Sequence, residues 1–407
     1  MSKSNRHPHL IVQVGLLAAL LGSGGGWFLT VLLLVVATRT NSRFFGAAIL
    51  ITLSMMSWYI AAMLFRWQPP KFGLTILVIV LVVCLLIVSS WWSPIGLSSS
   101  ESRLTSVYRG QKHFNRLSPA WLIDEADQIR LGGILLPFID PMMSHEQGKR
   151  FARVFNSVYA ELGHSPEFAQ IGSVMEEAYA DMLFHAGSKG HAYIYHPSAC
   201  KNKRCPVIVF FHGWLGNMKA YIWSWAQFAD EHGYVIVCPT YLNGVWRNQT
   251  AEETIRWLYK IIREDPMCDA EQLFIVGLSN GGTGVTLWAT MFPMTFSGLI
   301  MVSPIMVDAD SAEFASAVGS RPILVVHGGK DNRITPAYVE SSVARMKQKG
   351  LQVQSICYPE EDHILILSSN ERFHSDMLSW INEYIRVKGS KGVKSPIALL
   401  KASINSQ

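Results

Sequence analysis

Three long stretches without a charged residue occupy the beginning of the chain, at residues 10–38, 44–65 and 72–100. Each is long enough to cross the hydrocarbon core of a membrane, which takes about 20 apolar residues. A cleaved signal peptide is the alternative, but its apolar region has only about 7 to 15 residues and would not be followed by two further apolar stretches. We therefore predict that residues 1–100 form a membrane anchor with three transmembrane helices.

The next segment has apolar residues at helical rather than alternating spacing. Two sets carry the pattern: Phe151, Val154, Phe155, Val158, Tyr159 and Leu162, then Met175, Ala178, Tyr179 and Met182. We predict that residues 101–187 form a helical linker region, which either caps the following domain or docks against the membrane spans.

From residue 191 the pattern changes to short β-branched runs separated by amphipathic helices. This alternation is typical of a mostly parallel sheet covered by helices on both faces. The runs are residues 191–195, 207–211, 234–237, 273–276, 298–302, 323–326 and 353–358, and the helices include residues 251–263, 335–349 and 372–386. We predict an α/β domain over residues 188–388, followed by a flexible basic tail over residues 389–407.

The formal net charge of +5 arises in the apolar N-terminal region. Six basic residues precede the first acidic residue, Glu101, whereas the rest of the chain carries 29 basic and 30 acidic residues. The α/β domain therefore has no overall basic field of the kind that attracts nucleic acid, and we predict no nucleic-acid partner.

Basic residues flank the predicted spans on both faces, so the charge bias that normally orients a membrane protein nearly cancels. They are Lys3, Arg6, Arg66 and Lys71 on one face and Arg39, Arg43, Arg103 and Arg109 on the other. An odd number of spans places the α/β domain on the side opposite the N-terminus.

Six cysteines are too few for a disulfide framework in 407 residues, and no pair has the C-x-x-C spacing of a zinc or redox site. Phosphate-loop, dinucleotide-binding and H-E-x-x-H motifs are absent as well, so we predict neither a metal nor a cofactor. Cys200 and Cys205 bracket a four-residue turn, and either a disulfide or two unpaired thiols fits their spacing. The pair favours an extracytoplasmic α/β domain, because disulfides persist in oxidising compartments.

Residues 277–281 match the motif G-x-S-x-G, in which glycines allow a sharp strand-to-helix turn to expose a serine hydroxyl above the sheet. Alone the motif is weak, because a chance match in a chain of this length has odds on the order of one in five. Its context is more specific, since the apolar run 273–276 leads into it and small residues follow it. We predict that Ser279 is a nucleophile; a tight turn with an incidental serine is the alternative.

A serine nucleophile needs a base and an acid that orients the base. Asp331 lies in the loop after the run 322–326, and His363 lies in the loop after the run 353–358. Catalytic groups of open parallel sheets gather at such carboxyl ends. We therefore predict that His363 is the base and that Asp331 orients it.

Other residues compete for these roles. Asp308 and Asp310 follow the preceding strand and are alternatives to Asp331. His374 is the rival base, but it lies within the predicted last helix, where we expect it at the surface. Asp362, which directly precedes His363, is interpreted as a local charge.

Acyl transfer also needs hydrogen-bond donors for the developing oxyanion. The run 207–211 ends in His212 and Gly213, and the backbone N–H of Trp214 follows. The second predicted donor is the backbone N–H of Asn280, directly after the nucleophile.

Residues 191–388 resemble the α/β-hydrolase superfamily, nearest to its esterase, dienelactone-hydrolase and prolyl-oligopeptidase-like branches. Four ordered features carry the resemblance: His212–Gly213 after a strand, the turn at Ser279, Asp331 after a strand, and His363 before the last helix. The oxyanion loop reads His-Gly-Trp-Leu-Gly, which departs from the His-Gly-Gly-Gly of many lipases.

The resemblance implies a serine hydrolase that cleaves an ester, thioester or amide through an acyl-enzyme on Ser279. Its substrate would be a small molecule, a lipid or a peptide, and the sequence indicates no oligomeric state. The alternative is a catalytically silent hydrolase fold that serves as a membrane-bound binding or scaffolding module, because a fold does not determine a function. The ordered set of three residues favours the enzyme.

Overall fold

In the computed structural model of the chain, the described residues are 6–65, 67–94, 102–110, 118–184, 187–188 and 190–390. The chain divides into two units, which are described separately. The first unit contains residues 1–96 and 114–159, and the second contains residues 97–113 and 160–407.

The first unit is helical in its described part. Its long helices are α1 (Arg6–Val36), α2 (Thr40–Phe65) and α3 (Phe72–Trp92). Three segments, Val12–Val36, Thr40–Phe65 and Phe72–Trp92, are long and apolar enough to cross a membrane. Shorter helices follow at α4 (Pro119–Leu122), α5 (Glu125–Ile139) and α6 (His145–Leu162).

A buried carboxylate holds the turn between α1 and α2. Asp127, in the first turn of α5, accepts hydrogen bonds from the backbone N–H groups of Thr38 at 2.8 Å and Arg39 at 3.0 Å. It also accepts a hydrogen bond from the Thr38 hydroxyl at 2.9 Å. Because a buried charge is stable only with such partners, Asp127 ties the start of α5 to this turn.

The second unit is built on an eight-stranded sheet with the order β1-β2-β4-β3-β5-β6-β7-β8. Its strands are β1 (Leu104–Tyr108), β2 (His191–Tyr195), β3 (Cys205–Phe211), β4 (Val235–Thr240), β5 (Cys268–Leu278), β6 (Gly298–Val302), β7 (Pro322–Gly328) and β8 (Gln352–Tyr358). Strand β2 runs antiparallel to β1 and β4, and the pairs among β3 to β8 are parallel.

Helices of the second unit connect these strands or follow the last of them. They are α7 (Pro166–Gln170), α8 (Met175–Phe184), α9 (Lys219–His232), α10 (Gln249–Glu264), α11 (Gly281–Met291), α12 (Ala312–Val318), α13 (Pro336–Gln348), α14 (Leu365–Ser368) and α15 (Asn370–Ser390). Every residue of β4, β6 and β7 is buried, as expected for strands with helices on both faces. The mostly parallel sheet confirms the predicted α/β-hydrolase fold.

Two features of the second unit could not be decided from the sequence. Strand β1 was not predicted, because its five residues alternate only weakly between apolar and polar side chains; it pairs antiparallel with β2. Cys200 and Cys205 form a disulfide, with a Cα–Cα distance of 5.8 Å. Most of the predicted tail, residues 391–407, lies outside the described residues, and the capping role of residues 101–187 stays a prediction.

The expectation that His374 lies at the surface is wrong. His374 is 7% exposed and packs in α15 against the rings of Trp225, Phe228 and Phe373, at centroid distances of 5.1, 5.1 and 5.7 Å. Burial, followed by the nearby His232, lowers the pKa of His374 to about 3. The ring is therefore neutral in the fold and belongs to the aromatic core, because a charged ring cannot be solvated there.

The neutral state of His374 predicts a loss of stability in acid. An unfolded histidine has a pKa of about 6.5, so protonation of the unfolded chain favours unfolding as the pH falls from about 6.5 toward the folded value. At pH 5 this amounts to about 2 kcal/mol, at about 1.36 kcal/mol per pKa unit. His374→Phe keeps an aromatic ring at this position and should reduce the stability lost between pH 7.5 and pH 5 by about that amount. Denaturant unfolding of both chains at the two pH values measures the difference, and equal losses would contradict the prediction.

Candidate active site

Ser279 occupies a sharp turn between β5 and α11. Its φ of +54° lies in the left-handed region, which costs a non-glycine residue on the order of 1 to 3 kcal/mol. Three backbone hydrogen bonds of 2.9 Å hold it there: its N–H donates to Val302, and its carbonyl accepts from Gly282 and Ile305. The serine is therefore presented by a backbone conformation that its neighbours impose.

Close backbone packing requires a glycine at position 281, two residues after Ser279. A Cβ atom on Gly281 would lie 2.1 Å from the carbonyl oxygen of Phe211, at the end of β3. Any side chain at this position would push α11 away from β3. The flanking glycine of the motif thus allows the start of α11 to rest directly on the neighbouring strand.

Asp331 and His363 are hydrogen-bonded to each other. His363 Nδ1 lies 2.8 Å from Asp331 Oδ2, and the other carboxylate oxygen accepts the backbone N–H groups of Arg333 and Ile334, each at 2.9 Å. Burial raises the pKa of Asp331, but the hydrogen bonds outweigh it and hold the pKa below the ordinary value of 3.8. Since an ionised carboxylate only accepts, His363 Nδ1 carries the proton, and a neutral His363 has a lone pair on Nε2.

The loops that carry these two residues are joined through their backbones. Lys330 N–H donates to the carbonyl of Glu361 at 2.8 Å, and Gly329 N–H donates to that of Tyr358 at 2.8 Å. A Cβ atom on Gly328 would lie 2.4 Å from the Glu361 carbonyl oxygen, so only glycine permits this approach. Main-chain contacts thus set the position of Asp331 relative to His363.

Of the three candidate carboxylates, Asp331 is the one that contacts His363. Asp310 pairs instead with Arg345, whose hydrogen bond lowers the pKa of Asp310. Asp308 lies in the turn after β6 with a φ of +60°. Asp362 accepts the backbone N–H of Ile364 at 3.1 Å, in agreement with a local role.

The loops bearing Ser279 and Asp331 leave the same edge of the sheet. Ser279 N–H bonds to the last residue of β6, and Ser303 N–H bonds to Val326 of β7 at 2.8 Å. No hydrogen bond joins Ser279 to His363 within the part of the chain that the structure describes. In uncomplexed enzymes this hydrogen bond is often long and shortens when substrate binds.

The loop proposed to hold the oxyanion lies against the nucleophile. A Cβ atom on Gly213 would lie 3.0 Å from Ser279 Cβ, so the backbone that continues into Trp214 passes beside the serine. Asn280 directly precedes α11, whose first N–H groups have no partner within the helix. The assignment of the Trp214 and Asn280 amides as donors stays a prediction.

His212 has a structural role that the sequence interpretation missed. It is fully buried, and its Nδ1 donates to the carbonyl of Gly213 at 2.8 Å while its Nε2 accepts the backbone N–H of Tyr241 at 3.1 Å. Burial lowers the pKa of His212 to about 4, so the ring is neutral. Both ring nitrogens therefore fix the loop next to Ser279. The sequence signal for this role is the pair His212–Gly213 directly after an apolar strand.

Comparison with known proteins gives partial matches of low identity. The prolyl oligopeptidase family matches residues 307–388, which include Asp331 and His363. Dipeptidyl-peptidase 5 of Porphyromonas gingivalis is 22% identical over 240 residues, 47% of this chain and 35% of that protein. A probable carboxylesterase of Oryza sativa subsp. japonica is 23% identical over 171 residues, 39% of this chain and 68% of that protein.

A solved structure, Est1E from Butyrivibrio proteoclasticus, is 19% identical with a TM-score of 0.39, covering 47% of this chain and 94% of that one. The match to dipeptidyl-peptidase 5 of Porphyromonas gingivalis spans about a third of that protein's length. The family match and the curated relatives support a serine hydrolase.

Replacing the orienting acid should abolish most turnover and leave the fold intact. Asp331→Asn keeps the size of the side chain but favours the wrong tautomer of His363, and kcat for an activated ester should fall by about 10⁴. Asp310→Asn, on the partly exposed carboxylate that pairs with Arg345, is the control and should retain kcat. The reverse pattern, with Asp310→Asn inactive and Asp331→Asn active, would contradict the assignment of the acid.

Proposed function

We propose that this chain is a membrane-anchored serine hydrolase that cleaves an ester, thioester or amide through an acyl-enzyme on Ser279. The observation that carries the proposal is the hydrogen bond between His363 and a buried Asp331, at the edge of the sheet where Ser279 is held at positive φ. Each of the three groups has the local environment that its role requires.

In the proposed mechanism, His363 Nε2 takes the proton of the Ser279 hydroxyl as Oγ attacks the acyl carbon. The resulting oxyanion accepts hydrogen bonds from the Trp214 and Asn280 backbone amides, each worth about 2.7 to 4 kcal/mol in the transition state. His363 then donates its proton to the leaving group, and the acyl-enzyme remains. In the second half of the reaction, His363 takes a proton from a water molecule that attacks the acyl carbon, and it returns this proton to Ser279 Oγ as the acid is released. Asp331 stabilises the imidazole whenever it is charged.

Exposed apolar side chains surround the loops at this edge and support a substrate with an apolar group. Trp214 follows β3, Val245 follows β4 and Tyr338 follows β7, and they are 38%, 44% and 37% exposed. The Tyr338 ring is held by the Met306 backbone N–H, which donates to its hydroxyl at 2.9 Å. Small-molecule, lipid and peptide substrates all carry such groups, and the relatives include both peptidases and a carboxylesterase.

Labelling with a fluorophosphonate, which reacts with activated serines, tests the nucleophile. The full chain in detergent should react, and Ser279→Ala should not, because the attacking hydroxyl is gone. Ser303→Ala is a matched control: Ser303 is also buried, with positive φ, at the end of the neighbouring strand, and its hydroxyl has no partner among the described residues. Ser303→Ala should label like the unmodified chain. A chain that does not label, or that labels equally after Ser279→Ala, would favour a silent hydrolase fold.

The proposed orientation places the hydrolase unit outside the cytoplasm, on the side opposite the N-terminus. Three apolar helices and the Cys200–Cys205 disulfide support it. Cys357 is exposed in the hydrolase unit and provides a natural reporter. A membrane-impermeant maleimide added to the outer face of sealed membranes should label the chain, and Cys357→Ser should remove the label. If Cys357 were labelled only after the membranes had been permeabilised, the result would contradict this orientation and place the hydrolase unit on the cytoplasmic side.

A further inference from the structure

Three side chains with metal-binding atoms meet far from the proposed nucleophile. His196 follows β2, Asp265 follows α10, and Cys268 begins β5. One ligand atom from each lies within 4.8 Å of the others, and His196 Nε2 is 2.8 Å from Asp265 Oδ2. We propose that His196, Asp265 and Cys268 bind a zinc ion, in addition to the hydrolase activity proposed above.

The chemical types of the three ligand atoms favour zinc over other metal ions. Imidazole nitrogen, carboxylate oxygen and thiolate sulfur together are the ligands that Zn²⁺ prefers, whereas calcium and magnesium take oxygen ligands. Tetrahedral zinc with bonds of about 2.0 to 2.1 Å separates nitrogen and oxygen ligands by roughly 3.3 Å. His196 and Asp265 would have to part by only about half an ångström from their present contact, and water would complete the coordination.

The backbone around the three ligands is well anchored. Asp265 Oδ1 accepts the Met267 backbone N–H at 2.9 Å, and Cys268 N–H donates to the Asp265 carbonyl at 3.2 Å. Cys205 N–H donates to the Met267 carbonyl at 2.9 Å, and Cys205 is itself fixed by its disulfide. The backbone that carries Asp265 and Cys268 is thus held in place before an ion binds, which lowers the entropic cost of binding.

An ion can reach the cluster from solvent. The side chains of His196 and Asp265 are 13% and 17% exposed, while Cys268 lies behind them at 3% exposure. Burial, followed by the negative charge of Asp265, raises the pKa of the Cys268 thiol above its ordinary value. Coordination would break the S–H bond, release its proton to water and direct a sulfur lone pair to the zinc; His196 would bind through a neutral ring nitrogen.

The cluster lies at the opposite end of β5 from Ser279. Cys268 is the first residue of this 11-residue strand and Ser279 directly follows its last. Three residues between Asp269 and Leu273 have no partner on β3, so the separation corresponds to about eight extended residues, roughly 26 Å at about 3.3 Å per residue. A zinc ion here would not touch the reacting atoms. It would join the end of β2 to the start of β5, and zinc should therefore raise the thermal unfolding midpoint.

Metal titration of the full chain in detergent tests the site, after chelator treatment and without a thiol reductant, so that the disulfide stays closed. Zinc is titrated against a chromophoric chelator, and we expect one ion per chain. Cobalt substitution should give a sulfur-to-cobalt charge-transfer band. Cys268→Ser should abolish this band and weaken zinc binding by about 100-fold or more, because loss of even an outer-shell partner costs about 10- to 100-fold.

Two further variants make the result specific. His196→Ala removes a partly exposed ligand and should weaken zinc binding to a similar degree, even if Cys268→Ser fails to fold. Cys357→Ser, which removes an exposed thiol outside the cluster, should leave the affinity and the cobalt band unchanged. Absence of stoichiometric zinc binding, or binding that survives His196→Ala, would overturn the proposal. Fluorophosphonate labelling of the same samples reports separately on the hydrolase site.

Discussion

The backbone conformation of Ser279 is the constraint on which the proposed hydrolase site depends. A serine at a φ of +54° is unfavourable by itself, and it persists because Val302, Ile305 and Gly282 hydrogen-bond to its peptide groups. These partners come from β6, from the loop after β6 and from the start of α11. The position of Ser279 is therefore specified by strands that must already be paired, and a peptide containing only the motif would not present the hydroxyl in this way.

The three residues proposed for the site show how much of it could be predicted from the sequence. Ser279 was identified by its motif and by the apolar run before it, and Asp331 and His363 by their places in loops that follow apolar runs, because the carboxyl ends of parallel strands share one edge. Such an argument places residues on an edge but does not choose between Asp331, Asp308 and Asp310, which all follow strands. That choice depends on the contact of 2.8 Å between His363 and Asp331, which is a tertiary property.

What could not be predicted has a common physical cause. His374 was expected at the surface because helical spacing alone does not reveal that α15 packs on Trp225 and Phe228. Strand β1 is too short and too polar to stand out, and it becomes regular only by pairing with β2. The ligands His196, Asp265 and Cys268 have no metal-binding spacing in the chain, since residues from separate elements meet only after the sheet has formed.

Strand β5 carries the candidate nucleophile directly after one end and the candidate zinc ligand Cys268 at the other. Successive side chains of a strand point to opposite faces, so a single residue inserted or deleted within the regularly paired residues 273–278 would exchange the two faces over the rest of the strand. Such a change would also shift the pairing of β5 with β3 and β6 at one end of the strand, whereas the other end would keep its present pairing. In β5 this constraint applies to residues 273–278, each of which pairs with β3 or β6, whereas three residues between Asp269 and Leu273 already stand outside the pairing with β3. Natural length variation should therefore be confined to that irregular segment and to the loops.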